Sequence, residues 1–122
     1  MNPEEFIKKY EIAIATQKWN NVLPLIHENA SVTFTEGTFH GKENVKGVFE
    51  KTFRLIKDEA YLVSNIKWIK QDDKLAIFTF NYKWSGIINE EFAEGSGRGT
   101  SVLVNESKKW MLMTEHLSPD SD

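Results

Sequence analysis

The stretch from Gly97 to Ser118 constrains this chain most. It reads Gly-Arg-Gly-Thr-Ser-Val-Leu-Val, a polar turn, then Trp-Met-Leu-Met-Thr-Glu-His-Leu-Ser. β-Branched and aromatic residues of this kind favour a pleated backbone, and the polar segment Asn105 to Lys109 predicts a turn between two strands. A five-residue connection pairs Val104 with Trp110, Val102 with Leu112, Thr100 with Thr114 and Arg98 with His116. One face then carries Arg98, Thr100, Val102, Val104, Trp110, Leu112, Thr114 and His116. The other carries Gly99, Ser101, Leu103, Met111, Met113, Glu115 and Leu117. Both faces are apolar near the turn and polar at the far end. Two apolar faces need two covers, either the chain's own helices or another subunit.

Upstream, the pattern supplies helices first and strands later. Asn2 is a good N-cap, Pro3 fits the first helical position, and Glu4 and Glu5 suit the positive end of the helix dipole. Phe6, Tyr10, Ala13, Ile14 and Gln17 recur at helical spacing, which predicts a helix over 3–17. Tyr10 is read as a core ring with its hydroxyl at the edge, and reaching a cavity is the alternative. A second short helix is expected after Asn20–Asn21, running through Leu23, Ile26 and His27, with His27 at its end. Residues 30–35 alternate as a strand, Glu36-Gly37 turns it, and Thr38-Phe39-His40 adds a short return. Val45, Val48, Phe49, Thr52, Phe53 and Ile56 form the stripe of a third helix. From Glu59 the period becomes two. On the run Leu75 to Ser85, Ala76, Phe78, Phe80, Tyr82 and Trp84 share one face, which asks for a deep layer beneath them. Residues 86–96 are expected to be an acidic connector.

Long strands after amphipathic helices give an α+β class. The chain's 122 residues suit one domain, large enough to bury roughly two thirds of its unfolded surface. A net charge of −3 offers no electrostatic footprint for nucleic acid. Cysteine is absent, which excludes disulfides and thiolate chemistry. No apolar run approaches a membrane span and no signal peptide is read, so no membrane association and a cytoplasmic location are expected. The three histidines are far apart in sequence and lack zinc-ligand spacing, so neither a metal nor a cofactor is expected.

The order of these pieces resembles the nuclear-transport-factor-2-like superfamily, in particular its SnoaL-like group of small bacterial proteins. The resemblance spans nearly the whole chain. It rests on the Trp19 segment before a polar strand, Gly37-Thr38 with Gly41-Lys42-Glu43 before the third helix, Gly97-Arg98-Gly99-Thr100, and Lys109-Trp110 leading to Glu115-His116-Leu117-Ser118. It implies an NTF2-like cone of three helices packed in a strongly curved, mostly antiparallel sheet. A single domain over 1–118 with a polar tail over 119–122 is expected. The family is commonly dimeric, and it hosts isomerases, dehydratases, cyclases, epoxide hydrolases and non-enzymatic association modules, so fold alone does not fix function.

No complete catalytic set of the family is found. Steroid-isomerase-like members use an aspartate base, a tyrosine and a protonated carboxylic acid; here Tyr82 can donate, but its strand has no acid. Epoxide-hydrolase-like members use Asp-Arg-Asp, of which Arg98 and Glu115 could supply two parts. Cyclase-like members pair a histidine with an aspartate, and His116 has no evident partner.

The chemical leads are therefore Arg98, Glu115 and His116. They either form an anion or carbonyl site with Glu115 or His116 as general base, or a structural network at the sheet end. Neighbouring strand residues face opposite ways, so Glu115 and His116 cannot share a pocket without a bulge. The expectation is a conical cavity binding a small, largely hydrophobic ligand. Contacts come from Phe34, Phe53, Trp68, Tyr82 and Trp84, with Arg98 or Glu115 at the polar end. Arg98 inside would select a carboxylate or carbonyl; Glu115 inside would select a hydroxyl or amine. The alternatives are a cofactor-independent isomerase, dehydratase or cyclase using acid–base chemistry, and a protein-association module with a filled core. A homodimer through the outer face of the sheet is expected.

Overall fold

The computed structural model describes residues 1–120. Helix α1 spans Pro3–Ala15, α2 spans Trp19–Val22, and a single 3-10 turn follows at Leu23–Leu25. Strands β1 (Ile26–Phe34) and β2 (Gly37–His40) precede α3 (Lys42–Leu55). Four long strands complete the chain: β3 (Lys57–Gln71), β4 (Leu75–Ile88), β5 (Glu91–Glu106) and β6 (Lys109–Pro119). They form one six-stranded curved sheet in the order β2-β1-β6-β5-β4-β3. Every neighbouring pair is antiparallel except β1 and β6, which run parallel. The α+β architecture with a mostly antiparallel sheet expected above is present, β1 and β6 being the parallel pair.

Local chemistry explains the element ends. The Asn2 side chain accepts from the Glu5 N–H at 2.8 Å, and the Glu5 carboxylate accepts from the Asn2 N–H at 3.3 Å. This capping box satisfies two donors that the first turn leaves free. One stripe of α1 buries Phe6, Tyr10 and Ile14; α3 buries Val45, Val48, Phe49 and Phe53. Both stripes pack against the inner face of the sheet, where Ala76, Phe78, Phe80, Leu103, Trp110 and Leu112 are buried. Each large apolar side chain removed from water contributes about 1.5–3 kcal/mol.

The structure corrects three local expectations. The second helix ends before Ile26, because the chain enters β1 there; His27 is a strand residue, with its Nε2 2.9 Å from the Glu106 carboxylate. The acidic connector over 86–96 is a tight hairpin instead, turning at Asn89-Glu90. The last hairpin turns over two residues, Ser107-Lys108, not five. All four turn residues have positive φ, the backbone of type I′ turns, whose twist matches that of the flanking strands. Neither turn contains the usual glycine, so the sequence carries little sign of them.

The shorter turn moves the register. Asn105 pairs with Trp110, and Leu103 with Leu112. A bulge at Met113 then brings Val102 opposite Thr114 and Ser101 opposite Glu115. Trp110 and Leu112 therefore lie on the inner face with Leu103, not beside Arg98 and His116. Met111 and Met113 are half-buried on the outer face. The polar tail expected from residue 119 begins within β6, and the Asp120 N–H bonds the Ser96 carbonyl at 2.9 Å. Residues 121–122 lie outside the described part.

Candidate functional site

The concave side of the sheet, α1 and α3 line a partly open cavity of about 270 Å³. Phe34, Phe49 and Phe53 supply its apolar wall, and Tyr82 and Trp84 line it from β4. Exposed Glu36, Leu55 and Pro119 also belong to the lining and mark the mouth. The buried end is polar: Tyr10 from α1, Glu59 and Tyr61 from β3, and Glu115 from β6.

A glycine-for-aromatic exchange across β4 and β5 shapes the wall. Phe80 pairs with Gly99, Tyr82 with Gly97 and Trp84 with Gly95. A Cβ on any of these glycines would run into the ring opposite. The absent side chains let the three rings lie down on β5, and this is the close approach for which glycine is needed.

Glu115 reaches the cavity because of the bulge at Met113. Without the extra residue, the inward run through Trp110 and Leu112 would continue to Thr114 and His116. Glu115 is 4% exposed, and two hydroxyls hold its carboxylate. Tyr10 donates to Oε2 and Ser101 donates to Oε1, each at 3.1 Å. Burial raises Glu115 from the ordinary 4.5 to about 7, against the opposing effect of the two hydrogen bonds. Burial also raises Glu59 to about 7. Tyr10 and Tyr61 are pushed well above the usual phenol range, by burial first and then by the Glu115 charge. Both remain neutral hydroxyls at physiological pH, able to donate.

Two of these groups lack partners. Among the described residues, the buried Glu59 Oε1 and the Tyr61 hydroxyl make no hydrogen bond. Such atoms are uncommon in folded proteins and each calls for an explanation.

Of the residues expected to line a cavity, Phe34, Phe53, Tyr82, Trp84 and Glu115 do so. Trp68 does not: it packs on Phe78 with ring centroids 5.0 Å apart, away from the cavity. Arg98 and His116 project from the opposite, outer face. There they border a broad open basin of about 740 Å³ together with Lys67, Thr79 and Asn81. Arg98 is thus not the polar end of the inner cavity, and the three leads do not form one site. Strand parity separates Arg98 and His116 from Glu115, as the sequence implied. Glu59, Tyr61 and Ser101 were missed as site residues. Their one sequence signal is the polar pair at 59 and 61, two apart on a strand and therefore on one face. Among the described residues, no three His, Asp or Glu side chains are grouped closely enough to hold a metal ion.

The family model described as the SnoaL-like domain matches residues 4–121. The chain belongs to this family. No curated protein matches its sequence. Solved structures with the same architecture include an NTF2-like superfamily protein from Salmonella enterica serovar Typhimurium LT2. That protein is 14% identical, with 97% of this chain and 88% of that one covered and a TM-score of 0.87. A protein from Novosphingobium aromaticivorans DSM 12444, given the provisional name scytalone dehydratase, is 15% identical over 97% and 81% of the two chains, with a TM-score of 0.85. A hexachlorocyclohexane dehydrochlorinase, LinA type 2, is 10% identical over 97% and 82%, with a TM-score of 0.83. At these identities the likeness establishes the NTF2-like fold of this SnoaL-like domain and nothing finer. No helix in the described residues is long and apolar enough to cross a membrane.

Proposed function

We propose that this SnoaL-like domain binds a small, largely hydrophobic molecule in its inner cavity and moves a proton on it, without a cofactor, as an isomerase or dehydratase does. The observation that carries this reading is Glu115: a buried carboxyl at the polar end of an aromatic cavity, held by Tyr10 and Ser101 and raised to about 7. A carboxyl near 7 is about half ionised in neutral solution, so it can both take and return a proton. Each oxygen accepts one hydroxyl and keeps a second lone pair. The fixed carboxyl therefore retains basic capacity while its orientation is locked. Two structural relatives carry dehydratase or dehydrochlorinase names, and both of those reactions remove a proton from carbon.

Proton exchange tests this directly. Incubated in D2O with 1-indanone or 2-tetralone, the protein should speed loss of the α-proton signal in the NMR spectrum. Glu115→Gln should reduce the rate at least about a hundredfold, the usual scale for a general base. Equal rates for wild type and variant would sink the catalytic reading and leave a binding protein.

The same reading includes a homodimer formed through the outer sheet face, in a cytoplasmic protein. Partly buried Ile77, Val102, Val104, Met111 and Met113 support it, an apolar group gathered on the outer face of β4, β5 and β6. Association over this apolar end would leave the inner cavity open.

A further inference from the structure

We infer that the ligand of the inner cavity carries an uncharged hydroxyl, seated between Tyr61 and Glu59. This rests on the reading of that cavity as the ligand site and is independent of proton transfer at Glu115. The starting observation is the pair of buried polar atoms without partners, Tyr61 Oη and Glu59 Oε1. Both residues belong to β3, two positions apart, and both line the cavity. Glu115, by contrast, is already satisfied by Tyr10 and Ser101. The unmet demand therefore lies on the β3 side of the polar end.

The chemistry of the two groups selects their partner. Tyr61 is a neutral phenol, so it offers a proton and asks for a lone pair. An ionised Glu59 asks for a proton. A hydroxyl meets both demands with one atom, accepting from Tyr61 and donating to Glu59. It also suits the protonated form of Glu59, which can donate to the hydroxyl's second lone pair. An ammonium has no lone pair for Tyr61. A carboxylate would meet Glu59 and Glu115 with no compensating cation, because among the described residues neither lysine nor arginine lines this cavity. The basic side chains Lys67 and Arg98 face the outer basin.

Size limits the rest of the molecule. About 270 Å³ lies just below the range for drug-sized ligands. The aromatic walls of Phe34, Phe53 and Trp84 suit one or two fused rings. The inferred class is a compact cyclic alcohol or phenol without net charge.

Three probes of one shape test this at pH 8: 5-indanol, indane and indane-5-carboxylate, titrated calorimetrically into the full chain. The alcohol should bind at least about tenfold more tightly than indane, the scale of one well-made hydrogen bond. The carboxylate should bind more weakly than either. Tyr61→Phe removes an unpartnered hydroxyl, so it should melt no lower than wild type. It should bring 5-indanol close to indane while leaving indane unchanged. Glu59→Leu should narrow the preference likewise. Carboxylate binding as tight as the alcohol's, or full preference kept in either variant, overturns the inference while the cavity stays a binding site. Failure of all three probes to bind removes both the inference and the binding reading. Loss of proton exchange with the alcohol preference intact removes only the catalytic one.

Discussion

Replacing Glu115 with glutamine should make the protein more stable, and only above mildly acidic pH. The amide keeps the shape of the carboxyl and can still meet both hydroxyls, accepting from one and donating to the other. What the substitution removes is an ionisation. In the folded chain Glu115 holds its proton up to about 7, whereas the ordinary value is 4.5. Between those two pH values the folded state binds one more proton than the unfolded state. Stability therefore falls as pH rises, by about 1.4 kcal/mol per pH unit. Over the whole interval the loss reaches about 3 kcal/mol, is complete above 7 and vanishes below 4.5. For a domain of this length that corresponds to roughly 10 °C in melting midpoint. The assay is a thermal melt of wild type and Glu115→Gln at half-unit steps from about pH 4 to about pH 8.5, which brackets the interval. The two should coincide at the acidic end and separate steadily towards neutral pH, with the variant higher. Glu59, raised in the same direction, should leave a smaller slope of the same sign in the variant, which Glu59→Gln then removes. Parallel curves across the range would show that the folded chain does not hold Glu115 neutral, and the acid–base reading would lose its basis.

Other outcomes follow from the same geometry. Trp110→Ala should cost about 3–5 kcal/mol by denaturant melt, because its buried ring leaves a cavity; an unchanged midpoint would mean the ring is not packed. Gly97→Ala should destabilise by about 1–3 kcal/mol, since the new methyl meets the Ser118 carbonyl and the Tyr82 ring; calorimetry should also show weaker ligand binding, and a neutral effect would rule out the close packing of Tyr82 on β5. Arg98→Met should leave affinity for cavity ligands within about twofold, as its charge stands on the other face; a large loss would return Arg98 to the site. Light scattering at micromolar concentration should give twice the chain mass, and Val102→Lys should halve it; a monomeric wild type would remove the dimer.

Much of the fold was legible because it is written in periodicity. The stripes of α1 and α3, the capping box at Asn2, and the alternating aromatics of β4 each depend on residues close in sequence. The site depended on features without such a signature. The Ser107-Lys108 and Asn89-Glu90 turns adopt left-handed backbone without glycine, so their lengths could not be read and the register slipped. The Met113 bulge leaves no mark in composition, yet it decides that Glu115 points inward beside Ser101. A second irregularity, where Asn65 has positive φ between Ser64 and Lys67, re-phases β3 and turns Trp68 to the inner face beside Phe78, further along the sheet than the residues that line the cavity. Glu59 and Tyr61 became noticeable only once burial showed them without partners. Strand parity alone did keep Arg98 and His116 apart from Glu115.

The parallel pairing of β1 with β6 also governs when the site can come into being. During synthesis β1 and β2 emerge early, but β6, the strand joining them to β3–β5, is made last. The two parts of the sheet stay separate until then. The bond from Tyr10 to Glu115 spans 105 positions, so the acid is seated only after the two ends of the chain meet. Contacts this distant slow folding, because a long loop must close before they form. A nascent chain stopped before β6 exposes the edge of β5 and the uncovered side of β1, both open to pairing with other chains. A chain cut short therefore lacks the seated carboxyl of the candidate site and is prone to aggregate, so the 11 residues of β6 complete the sheet and the cavity in one step.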